Sequence, residues 1–137
     1  MKWLKKEATL NNLNPMIDDV LKGVCKSIKL SKKKYMEIRL ICEEVLLNII
    51  SYSYPNGKGE MIAGYEFKKD EDCIILKICD YGKEFNLMNE KEPDITLDIM
   101  ERDIGGLGIL LIKKVSDSVE YERKENMNIL TVKKYCS

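Results

Sequence analysis

Residues 41–55 read ICEEVLLNIISYSYP, and this stretch decides the fold. Tyr35, Ile38, Ile41, Cys42, Val45 and Ile49 recur at helical spacing and form one apolar stripe. The pattern predicts a helix over about 32–53, capped by Ser31 and closed by the turn residues Pro55, Asn56 and Gly57. Glu44 and Asn48 stand at i and i+4 and share a face of that helix, among Val45, Leu46, Leu47, Ile49 and Ile50. Polar groups in such surroundings need partners, because burying them unsatisfied is costly. One reading is an ordinary polar face at a surface or interface. The other is chemical: the Asn48 side-chain oxygen can ligate a hard cation such as Mg²⁺, and Glu44 can serve as a general base beside a bound triphosphate. Glu43 is the adjacent acid, but only Glu44 lies on the Asn48 face.

Towards the C-terminus, 60–67 and 73–79 read as strands joined by the charged loop KKDED, with Ile74, Leu76 and Ile78 turning one face to the core. Asp80 and Gly82 follow the second strand. A carboxylate there can accept a hydrogen bond from the exocyclic amine of a base, and glycine lets the backbone approach a flat ring; a plain Asp-x-Gly turn is the alternative. Residues 83–104 are polar and irregular, with Pro93, a length of loop that in a small domain belongs to function or motion. Gly105, Gly106 and Gly108 then lead into a helix predicted from 106 to about 116. Backbone amides at a helix start favour anions, and glycine lets phosphate come close; a hinge with close helix–sheet packing is the alternative. There is no GxxxxGK[ST] and no GxGxxG after a strand, which argues against a P-loop or Rossmann site. Segments 119–124 and 129–135 form a last hairpin around Glu125, Asn126, Met127 and Asn128.

Towards the N-terminus, 2–9 reads as a short strand, and Asn14-Pro15 as the start of a helix to about Ile28 that buries Ile17, Val20, Leu21 and Val24. The order (β)ααββ–loop–αββ predicts an α+β fold: a two-layer sandwich whose mixed, mainly antiparallel sheet carries its helices on one face, in a single domain over 1–137.

Composition narrows the function. Hydrophobic residues make up 45% of the 137 and charged residues 34%, ordinary for a globular protein. Lys plus Arg equals Asp plus Glu at 23 each, so nothing favours direct nucleic-acid binding. No apolar run approaches the ~20 residues that span a bilayer, and the opening MKWLKKEATLNN lacks the apolar core of a signal peptide, so the expected compartment is the cytoplasm, with no membrane partner. The five cysteines include no CxxC pair and read as reduced thiols acting as small hydrophobes. The absence of histidine excludes His-based acid–base catalysis, Ser-His-Asp and Cys-His nucleophiles, most zinc sites, and phosphorylation of a histidine in this chain.

Taken together, the blocks resemble the anti-sigma-factor serine kinases of the RsbW and SpoIIAB type, within the GHKL superfamily of gyrase, histidine kinases and MutL. The resemblance runs from about Ala8 to Lys134. Residues 44–54 match the family's E-x-x-x-N segment, which continues into a small residue and a tyrosine; 80–85 match D-x-G-x-x-F; 102–109 match R-x-x-GGLG-hydrophobic; and 117–121 with 128–131 match the closing hairpin. The resemblance implies the histidine-kinase-like ATPase fold, ATP and Mg²⁺ as cofactors, and these roles: Asn48 holds the metal, Glu44 is the catalytic base, Asp80 binds the adenine amine, Gly82 shapes the base pocket, Thr131 supports it from the last strand, and Gly105, Gly106, Leu107 and Gly108 give backbone contacts to phosphate. Residues 86–104 would be the lid. Tyr52 departs from the pattern, standing where members of the family often carry histidine. The implied function is a serine/threonine protein kinase acting as an anti-sigma factor, switching between an antagonist protein of the STAS type and a sigma factor. The implied assembly is a homodimer, with the segment around Trp3 and Leu4 at or near its interface. A non-catalytic, ATP-gated binding module of the same fold is the alternative. A catalytic domain descended from a sensor histidine kinase is disfavoured by the compact length, short lid and closing hairpin.

Overall fold

The stripe built on Ile38, Ile41, Cys42 and Val45 is buried along helix α2 (Lys32–Asn48), as the 3.6-residue period requires. The Ser31 side chain accepts from the Lys34 amide at 3.1 Å and caps its start. The computed structural model describes residues 1–86 and 104–136. The expected lid at 86–104 lies outside the described residues except at its two ends. Helix α1 (Leu10–Ser27) packs beside α2 and buries Met16, Ile17, Val20, Leu21 and Val24. It begins at Leu10 rather than near Asn14. Thr9 is extended and accepts from the Asn12 amide at 3.0 Å, while Asn12 Nδ2 donates to the Glu7 carbonyl at 3.0 Å. Pro15 therefore sits inside the helix, past its first turn, where its ring removes the bond to the carbonyl of the exposed Asn11.

Helix α2 does not stay α-helical to Ser53. Residues Ile49–Ser53 widen into a π-helical turn, a feature found disproportionately at functional sites. Strands β1 (Lys2–Glu7), β2 (Glu60–Lys68), β3 (Cys73–Asp80), β4 (Ser118–Lys124) and β5 (Met127–Tyr135) make one sheet in the order β1-β2-β3-β5-β4. The predicted α+β sandwich is present, but the sheet is antiparallel at every pairing rather than mixed. The reason is helix α3 (Ile104–Val115). It carries the chain back so that β4 runs in the direction of β3, and β5 slots between them antiparallel to both. The last hairpin also turns sooner than expected. Glu125 and Asn126 have φ of 53° and 65°, the two-residue type I′ geometry that suits strand twist, so Met127 and Asn128 belong to β5 rather than to the turn.

Side-chain alternation assigns the two faces. Ile74, Leu76, Ile78 and Asp80 of β3, with Asn128, Leu130, Val132 and Lys134 of β5, are buried on the helix side. Thr131 alternates to the opposite side, in register with Lys77 and Glu120. Among the described residues no helix is long and apolar enough to cross a membrane. The thiols behave as small hydrophobes: burial pushes Cys42 up to about 12 and Cys79 up to about 11, so neither is reactive near neutral pH.

One buried cation ties the layers together. Lys134 Nζ donates to the Val115 carbonyl, at the negative end of α3, and pairs with Glu37 of α2 at 3.4 Å. Lys134→Ala should lower the unfolding free energy by about 2–4 kcal/mol, because it strands a partly buried carboxylate and a helix-end carbonyl. Adding Glu37→Ala should recover part of that loss. Urea titration of the two single variants and the double variant measures both.

Candidate functional site

The C-terminal end of α2, the end of β3 and the start of β5 border an open pocket of about 30 Å³. Val45, Ile49, Ile78 and Leu130 make an apolar floor, and Phe85 and Tyr121 flank it. Asn48, Asp80, Ser53 and Asn128 supply the polar groups. An apolar cleft with a few convergent polar groups is the usual form of a small-molecule site.

Asn48 is held in one orientation. Its Nδ2 donates to the Glu44 carbonyl at 2.7 Å, which turns Oδ1 the other way, and this buried oxygen has no hydrogen-bond partner among the described residues. A buried carbonyl oxygen without a donor is costly, and a cation would satisfy it. Glu44 lies one turn earlier and is half-buried, whereas Glu43 is exposed, as the shared face with Asn48 requires. Burial, and then the charge of Glu43, raise the Glu44 carboxyl above its ordinary value.

Asp80 is 3% exposed, and its Oδ1 accepts from the Gly82 amide and from Asn128 Nδ2, both at 2.9 Å. Gly82 is required by a protein contact: a Cβ there would run into the carbonyl of Ser53, whose oxygen also accepts from the Lys83 amide at 2.7 Å. The turn after β3 thus rests on the π-helical turn after α2. Tyr54 fastens the same junction, its hydroxyl accepting from the Tyr81 amide at 2.9 Å and donating to the Glu60 carbonyl. Tyr52 stacks on Phe85 with ring centroids 5.7 Å apart.

Helix α3 starts at Ile104, two residues before the expected Gly106, so Gly105 joins Gly106, Leu107 and Gly108 within its first turns. The first turn keeps backbone N–H groups that have no intrahelical acceptor. A Cβ on Gly108 would stand 2.5 Å from Glu44 Oε2, so this glycine gives Glu44 its place between α2 and α3. The structure therefore brings Glu44, Asn48, Asp80, Gly82 and Gly108 to one end of the domain. It does not bring Thr131 there: strand alternation puts Thr131 on the far face of the sheet, and Asn128 and Leu130 line the pocket instead. Asn128, Tyr121, Phe85 and Ser53 were not singled out from the sequence as site residues. The alternation of Val119, Tyr121 and Arg123 and the two-residue Glu125-Asn126 turn were the available signals.

The architecture is thus an antiparallel sheet with helices on one face and, at the end of α2, an apolar pocket carrying a few polar groups. Residues 7–134 match the histidine kinase-like ATPase domain, and the chain belongs to that family. Among curated relatives, the serine-protein kinase RsbW of Listeria monocytogenes is 23% identical over 117 residues, covering 82% of this chain and 74% of that protein. The Listeria innocua serine-protein kinase RsbW is also 23% identical, over 118 residues. Among solved structures, the blue-light activated histidine kinase of Erythrobacter litoralis EL346 has a TM-score of 0.58 at 14% identity, covering 80% of this chain and 33% of that one. The Acinetobacter baumannii histidine kinase AdeS has a TM-score of 0.55 at 14% identity, covering 100% and 70%. The chain thus spans about a third of the Erythrobacter kinase, and these likenesses concern the fold alone.

Gly108→Ala should leave the fold intact and stabilise it by up to about 1 kcal/mol, since alanine is the better helix former. It should displace the Glu44 carboxylate towards solvent. Carboxyl-resolved NMR titration should then show Glu44 returning to the ordinary glutamate range, with an unchanged or higher Tm.

Proposed function

We propose that this chain is an ATP- and Mg²⁺-dependent serine/threonine protein kinase that acts as an anti-sigma regulatory factor, switching between a sigma factor and a STAS-type antagonist protein that it phosphorylates. The observation that carries the reading is the Asn48–Glu44 pair. A buried Oδ1 lacks a partner among the described residues, beside a half-buried carboxylate with a raised proton affinity, at the rim of an apolar pocket. These residues fit a hard, oxygen-seeking cation. Asn48 would hold Mg²⁺, which supplies charge neutralisation for the triphosphate. Asp80 would accept from the adenine amine, with Gly82 keeping the turn beneath it tight. The first-turn amides of α3, at Gly105 and Gly106, would face phosphate, with Leu107 and Gly108 continuing the turn behind them and Gly108 leaving room for Glu44. Glu44 would take the proton from the attacking hydroxyl of a serine or threonine. Phosphoryl transfer demands positioning and charge stabilisation more than covalent help, and this set provides both. The RsbW relatives, named serine-protein kinases, support the same direction.

The assembly we propose is a homodimer, with Trp3 near the interface; the residue is 53% exposed and its ring lies across Gly64 on the helix-free side of the sheet. One observation favours a second reading, a non-catalytic ATP-gated binding module. Tyr52, where members of the family often carry histidine, stacks on Phe85 at the pocket wall and is exposed on its outer side.

Asn48→Ala should abolish most of the gain in ATP affinity that Mg²⁺ gives, with the fold unchanged by circular dichroism; calorimetric titrations with and without Mg²⁺ compare the two. Glu44→Gln should retain ATP binding and lower transfer to an antagonist protein by ~10²–10⁴-fold. The base acts when ionised, so wild-type transfer should fall as pH drops through the raised Glu44 value, on a limb above the ordinary glutamate range, and this limb should vanish in Glu44→Gln. The stability effect has the opposite sign. A raised folded-state value means that the folded chain binds the proton more tightly, so the Glu44 contribution declines as pH rises from the unfolded value to the folded one. Mass spectrometry of the antagonist after incubation with ATP decides between kinase and module: a binder that never acquires phosphate on serine or threonine is a module.

A further inference from the structure

Asn128 is 4% exposed and sits at the start of β5, in register with Asp80. Its amide is fully engaged. Nδ2 donates to Asp80 Oδ1 at 2.9 Å and to the Lys83 carbonyl at 2.8 Å. Oδ1 accepts from the Tyr121 hydroxyl at 2.6 Å, from Arg123 Nη1 at 3.2 Å and from the Phe85 amide at 3.3 Å. These partners fix the amide's orientation, because a flip would set oxygen against a carboxylate and a carbonyl, and NH₂ against three donors. Both donors are used, so Asn128 has none to offer a ligand. What it governs is the arrangement of groups that face the pocket. With the Gly82 amide it commits Asp80 Oδ1 to the protein, which sets the plane of the carboxylate and leaves Oδ2 as the oxygen for an incoming donor. Through the Phe85 amide it holds the aromatic wall, and Arg123 closes the same knot by donating to the Gly82 carbonyl at 2.8 Å.

We infer that Asn128 is the positioning residue that sets base specificity. It aims Asp80 at the exocyclic amine of a purine and fixes Phe85 beside the ring, without touching the nucleotide itself. The inference rests on the reading of this pocket as an ATP site. A residue that only stabilised the fold would weaken every nucleotide alike. A residue that aims Asp80 affects a purine bearing the amine far more than one without it.

The test measures the affinity of the purified chain for ATP and for purine riboside triphosphate, which lacks the 6-amine, by calorimetry with Mg²⁺ present. Wild type should prefer ATP by ~10-fold or more, the value of one charge-assisted hydrogen bond. Asn128→Asp sets a carboxylate against Asp80 and should reduce that preference to about twofold or less, mainly through loss of ATP affinity. Asn128→Thr keeps one donor and should restore part of the preference. Tyr121→Phe removes a single donor to Oδ1, leaves the strand pairing intact and should narrow the preference in the same direction, so the inference stands or falls even if Asn128→Asp does not fold. Equal losses for both nucleotides in the Asn128 and Tyr121 variants, or full retention of the preference, would overturn the role of Asn128. A wild type that binds both nucleotides equally would instead overturn the ATP reading of Asp80 and the inference with it.

Discussion

A buried carboxylate must find donors, and the way Asp80 finds them organises this end of the domain. Its Oδ1 is met by the Gly82 amide from its own turn and by Asn128 from across the sheet. The first contact needs a glycine, because the turn lies against the Ser53 carbonyl. The second needs β5 in one register, since a slip by one residue would send Asn128 to the far face and leave Asp80 without its partner. The two-residue hairpin fixes the neighbouring β4–β5 register, which sets Arg123 opposite Asn128. The π-helical turn, the glycine, the hairpin and the strand pairing are therefore consistent with one another, and each would be strained if another changed.

Asn48 contrasts with this pair. Asp80 and Asn128 satisfy each other, as buried polar groups in proteins generally do. Asn48 spends its amide nitrogen on its own helix and leaves its oxygen without a partner among the described residues. Such an atom costs folding free energy of roughly 1–3 kcal/mol, and its position at the rim of the pocket marks it as a group that a ligand would satisfy. Glu44 carries the same mark in a milder form: burial raises its proton affinity, and Gly108 makes the room it occupies.

The family relationship fits this division of labour. At 14% identity the histidine-kinase neighbours keep the sheet and helices, because many apolar sequences satisfy the same two-layer packing. The polar constellation is more demanding. In this chain it uses an asparagine on β5 tied to a tyrosine and an arginine on β4, a local solution that depends on those particular side chains.

Much of this was legible from sequence. Helical spacing located α2 and put Glu44 and Asn48 on one face, alternation located β2 and β3, and the Asp80, Gly82 and glycine-rich blocks marked the end of the domain where the pocket lies. These signals are local: they depend on periods of two or 3.6 residues and on backbone preferences that neighbouring residues set. The errors were local as well. Asn14-Pro15 looks like a helix start because the bonds made by Thr9 and Asn12 are invisible in the sequence, the last turn looks two residues longer than it is, which hides Asn128, and Thr131 enters only through the family resemblance. What only the tertiary structure decided was which distant polar atoms meet. The closeness of Gly108 to Glu44, of Gly82 to Ser53 and of Asn128 to Asp80 comes from helix–helix packing and strand register. A single sequence without its partners in space carries no local signal for such contacts, because they form only when burial brings distant segments together and unpaired polar groups become too costly to leave.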